Sequence, residues 1–312
     1  MRFQTALVTG ATGFIGRALC RRLLRAGIRV GALTRRVADA PDGTDAIALA
    51  GLDESSLGEA LAGRRFDVVF HLAAYGVAPS DRDPAAMLRI NVAGTDAVLR
   101  AAALCEAGAV VYAGSCSEYR TPPQGTFVDE DAPLTTAALY GASKAAGGLW
   151  GQAAAGQLGL GFQWLRLFNV FGPGESAHRL IPSIVTSLLR DEPVRLSPGE
   201  QVRDFLFIDD VAEAIHLAAE AALAGKLGPF NVCSGSPITV RDLTLEVAEA
   251  MNKPATLLDF GALSYRPDEC LWLVGQPDRF ELATGFRPSV PLVAGIEAMI
   301  AEGRSGAHGP AT

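Results

Sequence analysis

Tyr140 and Lys144, four positions apart in Tyr140-Gly141-Ala142-Ser143-Lys144, are the residues whose types and spacing carry the clearest chemistry. On a helix that spacing puts both side chains on one face. A free phenol has a pKa of about 10 and is a poor base at neutral pH. A neighbouring ammonium stabilises the phenolate and lowers that value. Such a pair can pass a proton to or from a substrate oxygen. The same spacing arises by chance on many solvated helices, so its meaning depends on its surroundings.

A second constellation opens the chain. Gly10-Ala11-Thr12-Gly13-Phe14-Ile15-Gly16 lies between an apolar run, Thr5 to Thr9, and an amphipathic stretch from about Arg17 to Ala26. Strand, glycine-rich turn and helix N-terminus form an anion site, because free backbone N–H groups and the helix dipole face a phosphate. Glycine is needed where a Cβ would block the turn or the pyrophosphate. In this setting a dinucleotide is favoured over a plain tight turn. The second strand, about Arg29 to Leu33, would end in a carboxylate if it held the adenosine ribose of NAD. Here it runs into Thr34-Arg35-Arg36. Arg35 and Arg36 would attract a 2′-phosphate. NADP(H) is therefore expected before NAD(H), the alternative being that both arginines are solvated surface charge.

These groups need elements to position them. Ala46 to Ala50 reads as a third strand, and Asp53 after it either bonds the adenine amine or caps the next helix. Asp67 to Ala74 is a fourth strand running into small residues that let a cofactor approach closely; His71 within it reads as packed and hydrogen-bonded. A helix from about Pro84 to Ala107 carries Asn91, which can bridge two backbone segments or support the side of Lys144. Ala109 to Ala113 is a fifth strand, followed by Gly114-Ser115. The helix from Tyr140 to about Leu158 is rich in Ala and Gly and suits close packing. Ligands of open parallel sheets bind at the carboxyl ends of strands, which brings Ser115 and the glycine turn to one edge. Phe162 to Phe168 is the sixth strand.

From Asn169–Gly174, read as a turn, the α/β alternation loosens. A helix at Leu180 to Leu189 and a short strand at Val194 to Leu196 follow. Asp209 or Asp210 should cap the helix from Val211 to Ala224, and Thr239 the helix to Met251. Phe230 to Cys233 is a strand, Tyr265 to Glu269 a charged turn, and Pro277 opens a short helix. The tail, Gly303 to Thr312, is small and polar and is read as disordered.

Composition narrows the function classes. The chain has 312 residues, 49% of them hydrophobic, which suits one large or two interlocked domains. A net charge of −7 and a pI near 5.2 argue against a nucleic-acid partner. No apolar stretch is long enough for a bilayer, and the N-terminus shows no signal-peptide pattern. Cys20, Cys105, Cys116, Cys233 and Cys270 follow no pairing pattern, which reads as reduced thiols in a cytoplasm. The histidines show no metal-ligand spacing, so no metal is expected.

Taken in order, these residues resemble the extended short-chain dehydrogenase/reductase family, the NAD(P)-dependent nucleotide-sugar epimerases, dehydratases and reductases. The resemblance runs from about Leu7 to about Pro288. It comprises Thr9 to Gly16, His71-Leu72-Ala73-Ala74, Asn91-Val92-Ala93-Gly94-Thr95 and Ser115 ahead of Tyr119. It continues with Tyr140-x-x-x-Lys144, Asn169-Val170-Phe171-Gly172-Pro173-Gly174 and Arg203-Asp204-Phe205. It implies that Tyr140 is the proton donor or acceptor, that Lys144 binds the nicotinamide ribose and depresses the tyrosine pKa, and that Ser115 bonds the reacting carbonyl or alkoxide. The full cofactor set expected is Gly10, Thr12, Gly13, Phe14, Ile15, Gly16, Arg35, Arg36, Asp53, Leu72, Ala73, Ala74 and Asn91, with Tyr140 and Lys144. By the same resemblance Asn169, Arg203 and Arg266 would bind the diphosphate and ribose of a nucleotide-activated sugar, with His178 and Arg179 toward the sugar. Cys116 and Ser117 take substrate-side positions that the family's dehydratases fill with an acidic pair, which argues against 4,6-dehydration. Glu118-Tyr119-Arg120 departs from the family's Val-Tyr-Gly, a difference that bears on specificity.

The expected fold is α/β, a doubly wound parallel sheet (Rossmann) with a second, smaller substrate-binding domain. Residues 1–169 would form the NADP-binding part, rejoined around 203–233, and 170–312 mainly the substrate part. The expected function is NADPH-dependent reduction of the 4-keto group of a nucleotide-linked 6-deoxy sugar, with the proton from Tyr140. The alternative is a nucleotide-sugar 4-epimerase with tightly bound NAD. A third reading, a cofactor-binding sensor that has lost the reaction, conflicts with the intact Ser–Tyr–Lys set. The family also implies a homodimer through the Asn91 and Tyr140 helices, with no nucleic-acid or membrane partner.

Overall fold

Short apolar strands buried on both faces build the centre of the molecule, and their composition dictates the layers around them. A computed structural model describes residues 3–78, 80–135, 137–266 and 269–306. The chain begins β1 (Thr5–Thr9), α1 (Phe14–Arg25), β2 (Arg29–Thr34), β3 (Asp45–Ala48), α2 (Glu54–Leu61) and β4 (Val68–His71). One helical run follows: α3 (Pro84–Leu88), a π-helical turn (Arg89–Ala93) and α4 (Gly94–Leu104). Next come β5 (Ala109–Ser115), β6 (Phe127–Val128), α5 (Leu139–Leu158), β7 (Gly161–Leu167) and β8 (Asn169–Phe171). α6 (Leu180–Leu189), β9 (Val194–Leu196), β10 (Val202–Phe207), α7 (Ile208–Leu223), β11 (Gly228–Val232) and β12 (Pro237–Thr239) continue it. α8 (Val240–Ala250), β13 (Leu258–Phe260), β14 (Trp272–Gly275), α9 (Asp278–Thr284) and α10 (Leu292–Arg304) complete it.

Seven strands pair in parallel in the order β11-β7-β5-β4-β1-β2-β3. Alternate residues of each strand point to opposite faces. On β1, Ala6 and Val8 join the core formed with α1 and α7, whereas Leu7 joins the core formed with α4 and α5. Covering both faces is what parallel sheets require. The strand order reverses between β1 and β4, the switch point where open α/β sheets form a crevice.

The later segments build a second, five-stranded sheet from β12, β10, β14 and β6, with β8 paired to β10. The 169–174 segment therefore begins as a strand, because β10 gives its backbone a partner. β10 lies in this sheet, so the chain rejoins the large sheet through α7 and β11 rather than from residue 203. Asp204 knots the second sheet together. It is 0% exposed and accepts hydrogen bonds from the N–H groups of Ser234 (2.8 Å), Gly235 (2.9 Å) and Gly275 (3.2 Å) and from the Ser234 hydroxyl (2.7 Å).

Two local expectations are corrected. Neither Asp209 nor Asp210 caps α7, which starts at Ile208 after Phe207 with no side-chain cap. Asp210 is buried and instead accepts from the N–H groups of Ser289 and Val290 and the Ser289 hydroxyl, tying α7 to the C-terminal segment. The helix expected over 84–107 is interrupted by the π turn that contains Asn91 and ends at Leu104. Thr239 caps α8 through the Asp242 N–H as expected. Pro267 and Asp268 of the charged turn, and residues 307–312 of the tail with His308, lie outside the described residues.

Candidate active site

Ser115 closes β5, while Tyr140 and Lys144 occupy the first two turns of α5. The turn after Ser115, Cys116–Glu118, packs directly on α5: a Cβ on Gly141 would lie 2.0 Å from the Ser117 carbonyl oxygen. The Ser115 hydroxyl accepts from the Ser117 N–H at 3.1 Å and lies in hydrogen-bonding reach of the Tyr140 phenol. Lys144 is 1% exposed, with its ammonium 4.1 Å from the centroid of the Tyr112 ring. The Tyr112 hydroxyl donates to the Lys144 carbonyl at 3.0 Å.

The electrostatics depart from expectation. Burial and then the Glu118 carboxylate push the Tyr140 phenol up to about 12, with Ser115 and Arg179 acting the other way. Burial pulls the Lys144 ammonium below its usual range, and Glu118 opposes that fall. The protein's own groups thus keep Tyr140 protonated, instead of acidifying it through Lys144.

Asn91 is fully buried. Its amide donates to the Tyr75 carbonyl (2.8 Å) and the Ser143 hydroxyl (2.9 Å), and its oxygen accepts from the Tyr75 N–H (2.9 Å). With both amide hydrogens used inside the protein, Asn91 fastens α5 to the segment after β4. A π turn is a common way to re-aim one helical side chain at a functional site. His71 bonds Thr9 (2.8 Å) and Thr95 (3.2 Å) and is held neutral by burial, which pulls it down to about 3.

The glycine turn fits a dinucleotide. Gly10 has φ +68°, and a Cβ there would lie 2.7 Å from the Ala73 nitrogen; one on Gly16 would lie 2.1 Å from the Gly10 oxygen. Gly13 precedes α1, and no side chain caps that helix. The first amides of a helix lack intrahelical partners, so they face this cradle. Thr12 gives its carbonyl to Arg17 (3.0 Å), and Phe14 and Ile15 pack their side chains into the core of the second sheet. Leu72, Ala73 and Ala74 follow β4 across the crevice, where the Ala73 N–H donates to Thr9 at 3.2 Å. Arg35 and Arg36 are exposed just past β2. Arg36 pairs with Asp39 at 2.7 Å, and Arg35 makes no ion pair with any described residue. Asp53 caps α2, accepting from the Ser56 N–H (2.9 Å) and hydroxyl (2.8 Å).

Asn169, Arg179, Arg203 and Arg266 line one cavity of about 700 Å³, with His178 beside them. Its wall reaches Gly76, where a Cβ would lie 2.9 Å from the Tyr140 ring, so one wall of the cavity lies next to Tyr140. Asn169 donates to the Asp204 carbonyl at 2.9 Å, Arg179 pairs with Glu175 at 3.3 Å, and Arg203 pairs with Glu269 at 2.7 Å rather than with Asp204. Arg82 and Arg195, absent from the sequence reading, bring the lining to five arginines against two carboxylates. Arg195 was detectable as the exposed residue between buried Val194 and Leu196. Cys116 is not on this wall; it is 8% exposed and packs with Tyr119, Val128, Phe168 and Cys233. Ser117 is exposed and its backbone, not its hydroxyl, makes the contacts described. Among the described residues no cluster of His, Cys, Asp and Glu could hold a metal, and no helix is long and apolar enough to cross a membrane.

Glu118, like Arg82 and Arg195, has no role assigned to it from the sequence beyond a turn that bears on specificity. It is 0% exposed, with Oε1 accepting from the Ser115 N–H (2.8 Å) and Oε2 from Arg166 Nε (3.2 Å).

Comparison with known proteins places this geometry among others. A family model described as the NAD dependent epimerase/dehydratase family matches residues 6–233. The chain is 31% identical over 312 residues to dTDP-glucose 4,6-dehydratase of Streptomyces griseus, covering 95% of this chain and 92% of that protein. It is 32% identical over 262 residues to UDP-glucose 4-epimerase of Mycolicibacterium smegmatis, covering 80% and 83%. It is 31% identical over 274 residues to dTDP-6-deoxy-L-talose 4-dehydrogenase (NAD(P)(+)) of Kitasatospora kifunensis, covering 85% of each. Among solved structures, MoeE5 in complex with UDP-glucose and NAD superposes with a TM-score of 0.85 at 30% identity, over 97% of this chain and 99% of that one.

Proposed function

The chain belongs to the NAD dependent epimerase/dehydratase family, and from that premise we propose that it reduces the 4-keto group of a nucleotide-linked 6-deoxy sugar with NADPH. Its relatives are nucleotide-sugar-modifying short-chain dehydrogenases/reductases, including a 4-dehydrogenase of a dTDP-6-deoxy sugar. The observation that carries the reductase reading is Arg35, exposed beyond β2 with no carboxylate paired to it among the described residues. An arginine there suits a 2′-phosphate, and NADPH is the coenzyme of net reduction.

The remaining steps follow from the chain's own residues. The bound coenzyme supplies the hydride. The large sheet holds the dinucleotide on the α1 amides, and Lys144 meets its ribose. The segment from about residue 170 supplies most of the sugar-nucleotide side, where arginines meet the diphosphate bidentately. Ser115 and Tyr140 receive the carbonyl oxygen. A phenol pushed up to about 12 stays protonated at neutral pH and can give its proton as negative charge builds on that oxygen. Dehydration is disfavoured, because the acidic-pair positions hold a packed Cys116 and a Ser117, and Glu118 is turned inward to Arg166. α4 and α5 pack together and expose Leu104, Leu149 and Trp150, an apolar surface that a second copy would cover. Molar mass in solution tests that dimer.

The second reading, a 4-epimerase with retained NAD, draws on the M. smegmatis relative and on the NAD in the MoeE5 structure. One experiment separates the two. Purified protein is given 4-keto-6-deoxy sugars on several nucleotides with NADPH or NADH, and 4-epimeric nucleotide sugars with no added coenzyme. Stoichiometric NADPH consumption with formation of the alcohol supports the reductase. Interconversion without coenzyme supports the epimerase, and inactivity toward every nucleotide sugar sinks both.

A further inference from the structure

A second cavity, of about 930 Å³, adjoins the arginine-lined one, with Phe171 of β8 and Phe205 of β10 bordering both. β12, β14, the start of α8 and the segment before α10 enclose the rest. Ile238, Trp272, Val290 and Leu292 add apolar wall to the two phenylalanines. The rings of Phe205 and Trp272 are half-buried, so part of their surface is left uncovered.

The two cavities differ in charge. No lysine, arginine or histidine borders this one, whereas Asp242 and Glu246 do. They stand four residues apart on α8, which puts both carboxylates on one face, where like charges repel. Neither forms an ion pair with a described residue. Glu246 Oε2 has no hydrogen-bond partner among the described residues. The donors around the cavity are spent inside the protein. The hydroxyls of Ser234, Ser289 and Thr239 donate to Asp204 (2.7 Å), Asp210 (2.7 Å) and Asp242 (2.6 Å), and the Trp272 N–H donates to the Thr126 carbonyl (2.7 Å). The Ser236 hydroxyl is the one side-chain donor of this wall with no acceptor among the described residues. The cavity thus offers a ligand negative charge, aromatic faces and aliphatic surface. An anion would meet carboxylates with no cation to offset them. A cation with an apolar body gains from all three features.

We infer that this cavity is a second ligand site, which takes a small amine with an aromatic body. The ammonium lies against Asp242 and Glu246, and the ring lies among Phe205, Ile238, Trp272 and Leu292. The inference goes beyond the proposed reaction and does not depend on it, since binding is read with neither coenzyme nor sugar present.

The test gives the full chain three probes of one shape: phenethylamine, the neutral 2-phenylethanol and the anion 3-phenylpropionate. Binding is followed by NMR through the Trp272 indole N–H and the Ile238 methyl groups. The chain has three tryptophans, so W272F assigns the indole signal, and I238V assigns the methyls. Phenethylamine should bind with a Kd of about 1 mM or below and shift both signals. The alcohol should bind about tenfold more weakly, and the anion more weakly still. E246Q should weaken the amine about tenfold and leave the alcohol unchanged. E249Q, an exposed position on the same helix outside the cavity, should change neither. If E246Q does not fold, D242N, also at an exposed position, gives the same readout. Absence of amine binding, equal affinity for amine and alcohol, or unmoved Trp272 and Ile238 signals at saturation overturns the inference. So does a loss in E249Q as large as that in E246Q, which would reduce the effect to the overall negative charge of the chain.

Discussion

Tyr140 owes its proton-donating character to burial beside a carboxylate, and that makes its hydroxyl separable from its ring. Tyr140→Phe keeps the ring against Gly76 and should lower turnover by about 10²–10⁴-fold while NADPH affinity stays within a few-fold. Stopped-flow turnover with fluorescence titration of the coenzyme checks both halves. Arg35→Ala should raise the KM for NADPH about tenfold or more and leave that for NADH nearly unchanged, as expected for loss of a charged hydrogen bond to a 2′-phosphate. Parallel KM values with the two coenzymes decide it. At this scale the sequence was informative wherever chemistry is local. The Tyr–Lys spacing, the Ser115 position and the glycine turn are contiguous patterns, and the structure brings them to one sheet edge. Glu118 was not legible, since its partner Arg166 lies 48 residues away and nothing nearby announces that a glutamate in a turn will be buried. Asp210 misled for the converse reason: its local setting resembles a cap, but Ser289 and Val290, remote in sequence, offer better donors.

Among the elements, α5 and the π turn form the joint on which the site depends. Gly147 lets them touch: a Cβ there would lie 2.2 Å from the Asn91 carbonyl oxygen, a backbone atom with no freedom to retreat. Gly147→Ala should therefore destabilise the protein by about 2–3 kcal/mol. It should also lower kcat beyond what unfolding explains, because Asn91 would lose its aim at Tyr75 and Ser143. Urea unfolding together with activity below the transition measures the two effects separately. The helical pattern over 84–107 predicts a helix correctly but cannot reveal the extra residue of the π turn, since apolar spacing tolerates it. β8 was hidden too, because a three-residue strand exists only through its pairing with β10.

For the molecule as a whole, the seven-stranded sheet follows from its alternating strand and helix signals, whereas the second sheet collects short strands from residues 127–275 through pairings that no local pattern encodes. Asp204 is the point where three of those segments converge. Asp204→Ala would leave the half-buried N–H groups of Ser234 and Gly235 and the buried one of Gly275 without their acceptor and should cost about 3 kcal/mol of stability. A lowered urea midpoint with unchanged slope is the expected result. The place of β11 has a consequence for synthesis. β7 is complete at Leu167, but its outer edge waits for β11 and its lower face for α7, so a nascent chain carries an open strand and a bare apolar layer for some sixty further residues. A fragment ending near 169 should precipitate or recruit chaperones, whereas one reaching 233 has the means to seal itself.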